Sequence, residues 1–189
     1  EEEEHDHHHE HEHHHDYDPH LWTSLENLKI MAKGICDALC QIDEKNASTY
    51  ISNSDKYISE IDKFIVQMEE LKELAKDTTY YFASPFAMFY LFDEFDLQYE
   101  ALYDTCSVEI EPSIDDVINM TKEMEANGVN YIYAKELTQT NMAERIIGNK
   151  DNVLIIHSGH NLGKDDFESG KTYFEILQQN IELLKKGVK

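Results

Sequence analysis

Residues 47–76, ASTYISNSDKYISEIDKFIVQMEELKELAK, contain neither glycine nor proline. They place Tyr57, Ile61, Phe64, Ile65, Met68, Leu71 and Ala75 on one helical face. The spacing predicts one linker helix filling 47–77, about 45 Å long at ~1.5 Å per residue. That exceeds what a small lobe needs to close its core, and it reads as a strut. Upstream, Thr23 followed by Glu26 has capping-box spacing, and Leu25, Leu28, Ala32, Ile35 and Leu39 recur at helical intervals. A helix from about Ser24 to Gln41 is expected, with His20 just before its start.

After Asp77 the punctuation changes. Short apolar runs at Thr79 to Phe82, Gln98 to Leu102, Val129 to Tyr133 and Val153 to Ile156 alternate with helical patterns. Those patterns lie near Phe86 to Phe95, Ser113 to Asn127, Asn141 to Ile147 and Tyr173 to Lys186. Ser113 with Asp116 starts one helix and Gly128 ends it. Strands alternating with helices imply right-handed crossovers. The expected fold is α/β: a four-stranded, mostly parallel sheet flanked by helices and preceded by the strut. Such sheets place ligand sites beyond the carboxyl ends of their strands, so Ser84, Cys106, Glu136 and His157 should share one edge.

At 189 residues and 41% hydrophobic content, the chain can bury one main core. Its formal charge is −23, and −14 remains once the nine acids of the first twenty residues are set aside. That balance argues against a nucleic-acid surface, which needs clustered Lys and Arg; cations, not phosphates, are the favoured partners. No stretch has the length of an apolar membrane span, and residue 1 begins in an acidic run, so any export signal is expected outside this chain. Cys36 and Cys40, one helical turn apart amid apolar neighbours, read as small buried hydrophobes.

The first twenty residues, EEEEHDHHHEHEHHHDYDPH, interleave acids with His5, His7, His8, His9, His11, His13, His14 and His15, and end on His20. Neutral imidazole is the commonest side-chain ligand for zinc and its neighbours, and carboxylates concentrate cations. The interleaving with Asp6, Glu10 and Glu12 argues against a purification tag. One sign of charge and no apolar residue before Tyr17 predict a disordered, acidic, His-rich loop over 1–19, able to hold several ions without one fixed coordination sphere.

Beyond the tract and His20, the histidines are His157 and His160, in His157-Ser158-Gly159-His160 directly after an apolar strand. A bare His-x-x-His pair serves metal coordination or loop structure equally well. Position at the strand end favours His157 over His160. Glu136 reads first as a helix-start or salt-bridged carboxylate, and second as a metal ligand. The cluster Tyr80, Tyr81, Phe82, Phe86, Phe89, Tyr90, Phe92 and Phe95 reads as core. There is no Gly-rich phosphate loop, nucleophile elbow or His-Glu-x-x-His helix, so no enzyme and no small organic substrate is expected.

Together these motifs resemble the zinc and manganese substrate-binding proteins of metal ABC importers. The resemblance runs through the His-rich loop, Asp18-Pro19-His20-Leu21-Trp22-Thr23-Ser24, Asn27-Leu28, Met31-Ala32, Gln41-Ile42-Asp43 and Asn46-Ala47-x-x-Tyr50. It continues through the long helix, Glu111-Pro112-Ser113, Tyr131-Ile132-Tyr133 with Glu136, and the last helix with Asn180. It implies two α/β lobes on a rigid helix, one metal ion in the cleft, and His20 as a ligand. It further implies that most of a first lobe, with another ligand histidine, is missing from this chain. Residues 20–46 are then its remnant and 78–189 the second lobe.

Where the family usually has His or Glu before an aromatic helix, this chain has Ala83-Ser84-Pro85-Phe86, and at the usual acidic ligand near the last strand it has His157. With His20 and His157 in hand, water, the tract or the missing lobe must complete the sphere. Zinc is the expected ion, with other divalent transition metals as alternatives. The implied role is extracytoplasmic, periplasmic or as a membrane-anchored lipoprotein, delivering the ion to an ABC permease; the alternative is a free-standing metal buffer binding only through the tract.

Overall fold

A computed structural model describes residues 18–103 and 112–189. The eight tract histidines from His5 to His15, Cys106 and Glu111 lie outside the described residues.

After a 3-10 turn at Leu21–Thr23 come α1 (Leu25–Ile42) and α2 (Ala47–Leu74). The chain then alternates: β1 (Thr79–Phe82), α3 (Phe89–Glu94), β2 (Gln98–Ala101), α4 (Ile114–Ala126), β3 (Ile132–Lys135), α5 (Asn141–Ile147) and β4 (Val153–Ile156), closing with α6 (Lys164–Ser169) and α7 (Tyr173–Lys186). The sheet order is β2-β1-β3-β4 and every pairing is parallel, with Thr79 opposite Gln98, Phe82 opposite Tyr133, and Ile132 opposite Val153.

Alternation along the strands builds two cores. Tyr80, Phe82, Tyr133, Leu154 and Ile156 face Leu25 of α1, Ile61, Met68 and Leu71 of α2, and Leu177, Ile181 and Leu184 of α7. Tyr81, Ala83 and Ile132 point the other way, onto Met120 and Met124 of α4 and Ala143 of α5. The aromatic cluster is core, as its sequence suggests: the Tyr80 and Phe82 rings each meet Phe92 edge-on, with ring centres 5.6 and 5.5 Å apart. The helix α2 runs 28 residues, ~42 Å at ~1.5 Å per residue, with its apolar stripe against α7. No described helix is long and apolar enough to cross a membrane.

Several boundaries differ from the sequence reading, among them the end of α2, which stops at Leu74 and not at 77. The cap of α1 is Ser24, whose hydroxyl accepts the Asn27 N–H, while Thr23 turns its hydroxyl to the His20 carbonyl at 2.8 Å. The strand β3 begins three residues later than expected, because Gly128 takes φ +63° and Val129 returns its N–H to Met124 O at 2.9 Å, extending the end of α4. The helix α3 is shorter than its apolar run, since Phe86, Ala87 and Met88 form a buried connection after Pro85. Cys36 is buried, Cys40 is partly so, and both are free thiols.

Candidate metal centre

The carboxyl ends of β3 and β4 release the chain as Glu136 and as His157-Ser158-Gly159-His160. Glu136 is only 6% exposed. Its N–H continues the ladder to Ile156 O at 3.0 Å, and its carboxylate accepts the Ser158 N–H at 3.0 Å and the Ser158 hydroxyl at 2.5 Å. The same hydroxyl oxygen accepts the His160 N–H at 3.2 Å. From α7, buried Asn180 clamps the loop's base, accepting the His157 N–H at 2.9 Å and donating to its carbonyl at 2.7 Å. Ser84, at the end of β1, accepts the Lys135 N–H at 2.7 Å and ties two strand ends together.

The second contribution comes from the turn before α1. His20 is 1% exposed, and Asp18 Oδ1 accepts both its backbone N–H, at 2.8 Å, and its ring Nδ1–H, at 2.6 Å. This arrangement fixes the ring and leaves Nε2 as the lone-pair nitrogen, which is how carboxylates orient metal-binding imidazoles. Burial pushes the Asp18 carboxyl up, but the hydrogen bonds from the His20 ring and backbone outweigh it, and its pKa lies below the ordinary value. The turn is held from three sides. Tyr90 donates to Asp18 O at 3.1 Å, Trp22 Nε1 donates to Ser158 O at 2.8 Å, and Tyr173 donates to Trp22 O at 2.7 Å. Burial raises the pKa of Tyr173, keeping it a donor.

These ties bring His20 and His160 together: their ring centres are 5.5 Å apart, with Trp22 beside both at 5.3 and 5.7 Å. Two imidazoles sharing one tetrahedral zinc, with bonds of ~2.0–2.1 Å, hold their ring centres roughly 5 Å apart. Position along the strand favours His157, yet the ring next to His20 belongs to His160. His157 Nδ1 accepts the Gly159 N–H at 2.9 Å, so its neutral ring carries the proton on Nε2. Burial lowers the His157 pKa, with Lys171 adding to that and Glu136 and Asp166 opposing it. Among the described residues no group of three or more His, Cys, Asp or Glu gathers in metal-binding geometry. Sequence reasoning missed Asp18, Trp22 and Ser158 as the parts that align the pair; Asp18 alone had a local signal, two residues before His20.

An α/β lobe on a long helix is a fold shared with solved structures. The chain superposes on the metal-dependent lipoprotein YcdH of Bacillus subtilis with a TM-score of 0.78, covering 93% of this chain and 66% of that one at 22% identity. It matches the family described as zinc-uptake complex component A, periplasmic, over residues 1–187, and it belongs to that family. Curated relatives include the high-affinity zinc uptake system protein ZnuA of Bacillus subtilis, 31% identical over 180 residues, covering 90% of this chain and 53% of the relative. The zinc-binding protein AdcA of Streptococcus pyogenes is 28% identical over 180 residues, covering 89% of this chain and 33% of the relative. The chain thus spans about half the length of one relative and a third of the other.

Proposed function

We propose that this chain captures zinc, or a similar divalent transition ion, outside the cytoplasm and passes it to a membrane ABC permease without chemical turnover. The observation that carries the reading is the His20–His160 approach, with Asp18 behind the first ring. His20 is already desolvated and oriented in the folded state, so little reorganisation opposes ligation. His160 is exposed and sits on a glycine-containing loop, which suits it to let the ion go while His20 stays fixed. Two nitrogens leave tetrahedral positions for the tract, for water or for a further lobe. Ile30, Ile35 and Ile42 are exposed along α1, which supports reading residues 20–46 as part of such a first lobe. His5, His7, His8, His9, His11, His13, His14 and His15 raise the local metal concentration before transfer.

Zinc titration of the full chain against His20→Ala and His160→Ala tests this. Each variant should lose one stoichiometric tight site while weaker tract binding persists. Undiminished tight binding in both would favour a buffer that works through the tract alone.

A further inference from the structure

We infer that Glu136 is a positioning residue and the second counter-charge of the ion between His20 and His160; this rests on the reading of that pair as ligands. Two neutral imidazoles leave a divalent ion with its whole charge beside the buried His20 ring, where bare charge is costly. Asp18 supplies one negative charge directly behind His20. Glu136 supplies the other on the His160 side, through the main chain: its carboxylate accepts the Ser158 hydroxyl, and that hydroxyl oxygen accepts the backbone N–H of His160.

Among the described residues no lysine or arginine pairs with the buried Glu136 carboxylate. Its one ionisable neighbour at ion-pair distance is His157, whose Nδ1 lies 4.0 Å away and already accepts the Gly159 N–H. Among the described residues the hydrogen bonds that reach the carboxylate come from Ser158, itself 1% exposed. A buried carboxylate with only neutral donors lacks a cation, and the ion at the neighbouring histidine pair provides one. Ser158 also binds Trp22 through its carbonyl, so Glu136, acting through one residue, sets His160 and His20 in register with each other.

The test is a zinc titration of the full chain and of Glu136→Gln, Ser158→Ala, His20→Ala and His160→Ala, with chemical denaturation of each protein free of metal. The titration is read by a competing chromophoric chelator and by Trp22 emission, which reports on the ordered site and not the tract. Glu136→Gln keeps size and one of the two acceptors while removing the charge, and should weaken the ordered site about tenfold, the low end for an outer partner of a metal ligand because the link runs through the His160 main chain. Without zinc, Glu136→Gln should unfold at no lower denaturant concentration than the parent, because the carboxylate lacks its cation there; a merely structural role would lower that midpoint together with the affinity. Should Glu136→Gln fail to fold, Ser158→Ala, which keeps the carboxylate and cuts its hydroxyl link to His160, should weaken the site. An unchanged affinity in Glu136→Gln, or a loss of affinity matched by a loss of metal-free stability, overturns the inference while His20→Ala and His160→Ala still lose the site. If those two lose nothing, the ligand reading itself fails.

Discussion

Trp22 Nε1 donates to the carbonyl oxygen of Ser158 at 2.8 Å, joining the turn before α1 to the loop after β4 across 136 residues. This bond sets the two candidate ligands in register, since Trp22 follows His20 by two positions and Ser158 precedes His160 by two. Trp22→Phe keeps most of the ring and deletes the donor. It leaves a carbonyl on a buried residue unpaired, so stability should fall by about 1–2 kcal/mol in chemical denaturation. Zinc affinity should fall about tenfold, as for the loss of a group that orients a ligand. A variant that is destabilised but binds zinc as tightly as the parent would show that the bond serves folding alone.

Trp22 is the only tryptophan in the chain, and its ring centre lies 5.3 Å from that of His20 and 5.7 Å from that of His160. Zinc held by those rings changes the charge beside the indole, so its emission should shift with a stoichiometry of one. The change should survive removal of residues 1–16 and vanish in His20→Ala. Protons compete with zinc for imidazole nitrogen, so the zinc concentration needed for half the change should rise as the solution is acidified. A midpoint that stays constant between pH 7.5 and pH 5.5 would count against histidine capture.

Gly159 sits between the two histidines of the loop at φ +75°, and a Cβ there would lie 2.8 Å from Tyr173 Cε2 and 3.6 Å from Trp22 Nε1. Gly159→Ala therefore meets backbone strain and a steric clash together. It should lose about 1–3 kcal/mol of stability and move Trp22 off Ser158. Paired thermal melts with and without zinc are the measurement, and the zinc-induced rise in Tm should shrink in the variant.

Much of the fold was legible because its signals are local. The spans Thr79–Phe82, Asn141–Ile147, Val153–Ile156 and Tyr173–Lys186 coincide with their apolar patterns, and Ser113 with Asp116 forms the expected capping box. The helix α6 was missed because Lys164–Ser169 buries nothing and its Phe167 is exposed, leaving no periodicity to read. At the candidate site, Asp18-Pro19-His20 points to an ordered histidine, and the structure buries and orients that ring. Which of His157 and His160 lies beside it is not legible in the sequence: strand-end position points to the first, whereas the Glu136–Ser158 bonds and the left-handed turn at Gly159 carry the second toward His20. Those determinants lie in contacts between distant segments, which leave no spacing signature.

Glu94 closes α3 against the start of α1, and its Oε1 accepts the Glu26 N–H at 3.2 Å. Its Oε2 is buried without a well-formed hydrogen bond, the one such side-chain atom among the described residues. Burial raises its pKa above the ordinary 4.5, and hydrogen bonds from Ser24 and the backbone of Glu26 and Leu25 only partly offset that. Folding thus favours the protonated acid. The penalty on the carboxylate is absent below about pH 4.5 and grows as pH rises through the folded-state value. Glu94→Gln removes the charge and keeps an acceptor for Glu26. At pH 7 it should be more stable than the parent, by about 1 kcal/mol or less given that solvent reaches much of the side chain. At pH 4 the two proteins should melt together, and a stabilisation of equal size at both pH values would show that the gain came from packing and not from the charge.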